Sequence, residues 1–268
     1  MPSDSPLSTP EASQSSRAAN EIAHGRMLAS SESEETWGWT TPAGQSRARR
    51  RADLIISAAG VRPGRTILEI GCGTGMFTER FAATGARILA VDISPDLLAK
   101  ARDRRLSADR VRFEQRPFEG LQLSDPAIQA WAGDGFDAII GSSVLHHLDI
   151  PRAIETCKRL LAARGRIVFA EPNLLNPQVW MERNFRSWFP YVSPDETAIV
   201  RWPMRRQLAR AGFSDIVITP FDWLHPATPE SLMDVVGGVG RVLERVPGVR
   251  EFAGSVLITA TCGAPSKR

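Results

Sequence analysis

The residues best suited to chemistry begin at Thr66. The run Thr66-Ile67-Leu68-Glu69-Ile70-Gly71-Cys72-Gly73-Thr74-Gly75 joins an apolar, β-forming segment to glycines at alternate positions, and a helical pattern follows. Glycine at such positions lets the backbone turn tightly and approach a ligand with no Cβ in the way. A dinucleotide fingerprint, Gly-x-Gly-x-x-Gly, needs its third glycine at position 76, where the chain has Met76; its third glycine is Gly75, so no pyrophosphate is implied. Glu69, two residues before Gly71, would repel a phosphate and suits a ligand bearing an ammonium group. A second apolar run, Ile88-Leu89-Ala90-Val91, ends in Asp92, which lies 21 residues beyond Gly71. That is close to the ~20-residue spacing at which an acid meets a ribose, and one carboxylate can accept from both ribose hydroxyls.

These residues need strands to carry them. Thr66–Ile70, Arg87–Val91, Val111–Gln115, Phe136–Ile140 and Arg166–Ala170 are short runs rich in β-formers bounded by turn residues. Met76–Thr84, Pro95–Arg105 and Pro151–Ala163 between them suit amphipathic helices. The alternation implies right-handed βαβ units and a parallel sheet covered on both faces. Further on, Pro203–Gly212 and Pro229–Arg245 read as helical, and Asp215–Thr219 and Ser255–Thr261 as strands. Residues 173–200 break the rhythm: Trp180, Phe185, Trp188, Phe189 and Tyr191 occur among Pro177, Pro190 and Pro194, the composition of an inserted cap. Residues 1–20, rich in Ser, Pro, Ala and Glu without hydrophobic period, read as a disordered tail, and 21–60 as an N-terminal helical lid closed by Gly60. The remaining 61–268 form the α/β domain.

Composition sets the outer bounds. The chain has 268 residues, 43% hydrophobic and 24% charged, with a net charge of +3 that demands no polyanionic partner. Cys72, Cys157 and Cys262 are far apart and odd in number, so neither a disulfide framework nor a metal site can be read from them, and a reducing, cytoplasmic setting is expected. No apolar run is long enough to span a bilayer, and the N-terminus carries no apolar signal core.

With Glu69–Gly75 and Val91-Asp92-Ile93-Ser94 stand Phe136–Ile140, Ser143-Val144-Leu145-His146-His147-Leu148, Leu160-Leu161 and Gly165–Val168 before Glu171-Pro172. Together these segments resemble the class I S-adenosylmethionine-dependent methyltransferases, and within them the bacterial group acting on quinones and small natural products. The resemblance implies a Rossmann-like, doubly wound sheet of seven strands with an antiparallel last strand. It implies S-adenosylmethionine as cofactor, with Glu69, Gly71, Cys72 and Gly73 beside its methionine portion, Asp92 on the ribose, Ile93 against the adenine, and Ser142 in the loop below the sulfonium. Relatives carry an acid after the third strand that meets the adenine amine; here Pro117 stands in its place, so backbone of Phe118, or Glu119, has to serve.

In such a fold the loop after the fourth strand faces the acceptor, and it holds His146 and His147. An imidazole there can take a proton from a nucleophile, since its ordinary pKa of ~6.5 suits neutral pH. It can equally serve only to bond backbone at a helix start. Trp37, Trp39, Trp180, Trp188 and Trp202 lie outside the basic αβ rhythm and are expected to roof an acceptor pocket, the alternative being a satellite core or a dimer contact. The run Arg47, Arg49, Arg50 and Arg51 is expected to be a solvated helix face, with one arginine near the cofactor carboxylate. The expected reaction is transfer of a methyl group to a small molecule. Methylation of RNA or another macromolecule, and a cofactor-binding scaffold without turnover, are the rival readings.

Overall fold

The computed structural model describes residues 10–30, 32–189, 192, 193 and 196–263, with residues 10–15 described as backbone only. Tyr191, Pro190 and Pro194 of the expected cap, and residues 1–9 of the expected tail, lie outside the described residues.

The chain begins with α1 (Pro10–Ala29), the short α2 (Ser33–Thr36) and α3 (Pro42–Ala59), then alternates β1 (Thr66–Ile70), α4 (Met76–Ala82), β2 (Arg87–Asp92), α5 (Pro95–Asp103) and β3 (Val111–Gln115). It continues through α6 (Pro126–Ala132), β4 (Phe136–Ser142), α7 (Ile150–Leu160), β5 (Leu161–Pro172), α8 (Pro177–Asn184), α9 (Arg201–Arg210), β6 (Phe213–Phe221), α10 (Met233–Leu243) and β7 (Ser255–Cys262). The helix starts follow a local rule. Thr41, Ser94, Asp125, Asp149 and Asn176 each accept a backbone N–H of the first helical turn, and each is followed within two residues by a proline, which fixes φ where no N–H is needed.

The seven strands form one sheet in the order β3-β2-β1-β4-β5-β7-β6. β1 to β5 pair in parallel, and β7 runs antiparallel to both neighbours. The order reverses between β1 and β4, so the loops leaving these strands diverge and open a crevice at their carboxyl ends, where doubly wound sheets bind ligands. Strand alternation divides the core. Leu68, Ile70, Ile139 and Phe169 pack with α7 and α9, while Ile67, Ile140 and Val168 pack with Ile55 of α3 and Phe81 of α4.

Three expectations change. Residues 10–20 belong to α1 and not to a disordered tail. The helix has almost no hydrophobic stripe, which hides it from periodicity; tertiary contacts hold it, with Gly25 seated on Ser94 and Arg17 donating to the carbonyl of His147 at 3.3 Å. α7 ends at Leu160, and β5 starts at Leu161, earlier than Arg166, because Leu161 pairs with Phe136 across a register shift. α6, a helix of seven residues, has no counterpart among the sequence expectations.

Candidate functional site

The switch-point crevice is a cavity of about 1340 Å³, more than one small ligand needs. Its floor is the glycine loop. Gly71 sits at φ 61°, and a Cβ there would fall 2.3 Å from Val144 Cγ2. The N–H of Gly73 donates to Asp92 Oδ2 at 2.7 Å, and that of Ser94 to Oδ1 at 2.8 Å. Asp92 thus hangs between two loops with lone pairs left toward the cavity it lines. Burial pushes its carboxyl above the ordinary value, opposed by those two N–H donors.

Gly71, Gly73, Asp92, Ile93, Phe118, Glu119, Ser142, His146 and His147 all reach the cavity wall. Glu69 and Cys72 do not. Alternation along β1 sends Glu69 to the Ile67 face, beside Thr78 of α4, where Oε2 has no hydrogen-bond partner. Burial, with help from the Asp92 charge, raises its carboxyl to about 8. Cys72 packs into the core on the same side. Phe118 is buried, and Pro117, where relatives carry the acid, lies on the wall beside it.

Two of the five tryptophans expected in the aromatic roof reach the cavity. Trp37 and Trp39 line the cavity. Trp180, Trp188 and Trp202 do not, and they are 50%, 69% and 45% exposed. In α8 the residues on the cavity wall are Pro177, Gln178, Val179, Glu182 and Arg183. Trp180 points elsewhere and meets Phe185, which stacks on Trp188 at 5.2 Å. Trp202 lies against Arg201. Trp223, not singled out in the sequence, supplies a third tryptophan to the wall.

The arginine run is no solvated face. Arg49 alone is exposed. Arg50 pairs with Glu244 through both guanidinium ends, and Arg47 with Asp222 at 2.8 Å. Arg51 is 3% exposed; it donates to Ser142 Oγ, Ser143 Oγ and the Ala170 carbonyl at 3.0–3.2 Å and to Ser255 Oγ at 2.5 Å. Burial pulls its pKa down to about 10, so it stays charged near neutrality. Arg51 and Arg47 bring positive charge to the wall near the carboxyl end of β4.

The loop after β4 meets the end of β5. Glu171, fully buried, accepts from the N–H groups of Val144 and Leu145 through Oε1 at 3.0 and 2.9 Å. Its Oε2 lies 2.7 Å from Nδ1 of His146. Burial favours a neutral Glu171, but the imidazole and the two N–H donors win and hold it below the ordinary value. Burial and the neighbouring His147 charge hold His146 below 6.5. A charged Glu171 therefore keeps the proton on Nδ1, and the Nε2 lone pair is turned away from Glu171. Nε2 lies 3.8 Å from Glu196 Oε2. His147 Nδ1 lies 2.9 Å from Glu21 Oε2. Burial works against its charge, but Glu21, Glu196 and Glu171 together raise it.

Glu21, His24, Glu171 and Glu196 escaped the sequence reading. Only Glu171 carried a signal: an acid closing an apolar strand, as Asp92 does. The site joins features for a ribose diol (Asp92) and an anion (Arg51) on a wall that carries Trp37 and Trp39, with Arg47 and Arg51 against the Trp39 ring.

A family described as a methyltransferase domain matches residues 68–167. Over 213 residues the chain is 25% identical to the ubiquinone biosynthesis O-methyltransferase of Alkalilimnicola ehrlichii, covering 72% of this chain and 82% of that one. Over 144 residues it is 31% identical to the protein of the same name from Xylella fastidiosa, covering 52% of this chain and only about half, 56%, of that relative. Among solved structures, the N-methyltransferase NodS from Bradyrhizobium japonicum, in complex with S-adenosyl-L-homocysteine, superposes with a TM-score of 0.57 at 18% identity, covering 92% of this chain and 99% of that one. That likeness is one of fold.

Proposed function

We propose that the chain, a class I S-adenosylmethionine-dependent methyltransferase by its family match and its relatives, methylates a hydroxyl oxygen of a small, partly apolar acceptor. The observation that carries this reading is the His146–Glu171 pair on the wall of the same cavity as Asp92 and the glycine loop. The cofactor supplies an electrophilic methyl group on a sulfonium.

The chain's own residues do the rest. Asp92 accepts the ribose hydroxyls, and Arg51, under Ser142, attracts the carboxylate of the methionine portion. Trp37 and Trp39 cover the ligand and keep water out. Glu171 holds the His146 proton on Nδ1, which leaves Nε2 free to take the proton of an acceptor hydroxyl as the oxygen becomes nucleophilic. Lining up that oxygen with the methyl supplies much of the acceleration. The names of the two curated relatives favour a phenolic acceptor of the kind met in quinone biosynthesis.

Two features weigh against the rival readings. A cavity of about 1340 Å³ does not suit a scaffold with a filled acceptor site. Arg47, Arg50 and Arg51, which a nucleic-acid surface would present, are engaged inside the protein.

The test is calorimetric titration with S-adenosylmethionine, followed by an assay for S-adenosylhomocysteine with a panel of phenolic acceptors. Saturable cofactor binding and acceptor-dependent product support the reading. Cofactor binding with product from amines alone would overturn the oxygen assignment.

A further inference from the structure

Three of the chain's four histidines converge on one carboxylate. Glu196 Oε2 lies 3.8 Å from His146 Nε2, and Oε1 lies 3.9 Å from His147 Nε2 and 4.0 Å from His24 Nε2. One ligand atom each from His146, His147 and Glu196 fall within 4.8 Å of one another. Ligands at ~2.0–2.2 Å from a common ion stand about 3.0–3.5 Å apart, so the set, spread over as much as 4.8 Å, closes on an ion by contracting by up to about 1.5 Å across its widest pair. From these contacts we propose that His146, His147 and Glu196 bind a divalent first-row transition ion on the acceptor side of the cavity.

The surroundings are those of a metal site. Imidazole ligands of metals carry a carboxylate on the other ring nitrogen, which fixes the tautomer and aims the lone pair. Here Glu171 bonds His146 Nδ1 at 2.7 Å, and a carboxylate oxygen of Glu21 lies 2.9 Å from His147 Nδ1, close but not aligned for a hydrogen bond. Glu171, Glu196 and Glu21 are fully or largely buried within this cluster, with side-chain exposures of 0%, 8% and 14%. The cation paired with them is Arg183, 2.8 Å from Glu196 Oε2 and shared with Glu182 at 3.8 Å. Two imidazoles and one carboxylate suit zinc, manganese, iron or cobalt and leave positions open.

What the ion does rests on the methyl-transfer reading above and changes only how the acceptor oxygen is ionised. With the Nε2 lone pairs on the ion, an acceptor hydroxyl takes an open position, its O–H bond breaks, and the proton leaves to solvent. The oxygen then forms its bond to the methyl carbon as the S–CH3 bond breaks, with that electron pair going to sulfur. Two adjacent hydroxyls fit two open positions, so the favoured acceptor is a vicinal diphenol.

The full chain, treated with a chelator and desalted, is titrated with Co2+ and followed by visible absorption, with S-adenosylmethionine calorimetry as the fold control. One Co2+ per chain is expected. Affinity should fall at least 10-fold in His147→Ala and in Glu196→Gln while cofactor affinity holds. Arg183→Gln, which removes the competing cation, should bind Co2+ more tightly. The absence of a Co2+ band up to millimolar metal in protein that binds the cofactor overturns the site, as does equal affinity across the three variants. Metal binding with no diphenol turnover would leave the site standing and sink the acceptor reading instead.

Discussion

Glu171 Oε2 lies 2.7 Å from Nδ1 of His146, and the other oxygen of the same carboxylate holds the backbone of Val144 and Leu145. One buried acid at the end of β5 therefore sets both the conformation of the loop after β4 and the tautomer of its imidazole.

Glu171→Gln keeps the size of the side chain but not its charge. The amide either donates to Nδ1, which reverses the tautomer, or accepts more weakly. Turnover should fall about 100-fold, while cofactor affinity changes less than threefold. Steady-state kinetics beside calorimetry checks this, and equal losses in both would reduce Glu171 to a structural role.

Asp92→Ala should weaken S-adenosylmethionine binding by about 10–100-fold, the loss of ~1.5–3 kcal/mol expected for hydrogen bonds to a charged group. Calorimetry at fixed salt measures it. Unchanged affinity would move the ribose elsewhere.

Glu69 makes a pH prediction. Its carboxyl is raised from 4.5 to about 8 by burial. Below pH 4.5 it is neutral in both folded and unfolded chains. Between pH 4.5 and 8 the unfolded chain ionises it and the folded chain does not, so stability is lost as pH rises through this window and is constant beyond it. Glu69→Gln has no such loss. Its unfolding free energy relative to the parent should climb across the window, by ~1.4 kcal/mol for each step of one in pH, and level off above it. Denaturant unfolding at a series of pH values gives the curve; a flat difference would show that the acid is already ionised.

The tryptophans separate wall from surface. Trp37→Ala or Trp39→Ala should raise the acceptor KM about 10-fold, for the loss of ~1–2 kcal/mol of aromatic contact. Trp188→Ala, at a position 69% exposed and off the cavity wall, should leave kcat and KM within twofold. If Trp188→Ala proves the more damaging, the cap closes over the site in a way this arrangement does not describe.

What the sequence determined by itself is whatever the chain encodes over a few residues. The glycine loop, the acid ending β2, the alternation of β1 to β3 with helices, and the left-handed stop at Gly60 (φ 66°) depend on backbone conformation and local periodicity, so they are legible from neighbours alone. Tertiary structure decided everything that depends on distant segments meeting. Glu21, His146, Glu171 and Glu196 lie in α1, the loop after β4, the end of β5 and the segment before α9, and no spacing along the chain announces their convergence. Likewise Arg51 reads as one more charge in a basic run until α3 packs against β4 and β5 and buries it among Ser142, Ser143 and Ser255. That Trp180 faces away from the cavity follows from the rotation of one short helix, α8, which turns Val179 and Arg183 to the wall instead; that rotation is set by what the helix packs against, not by its own weak pattern.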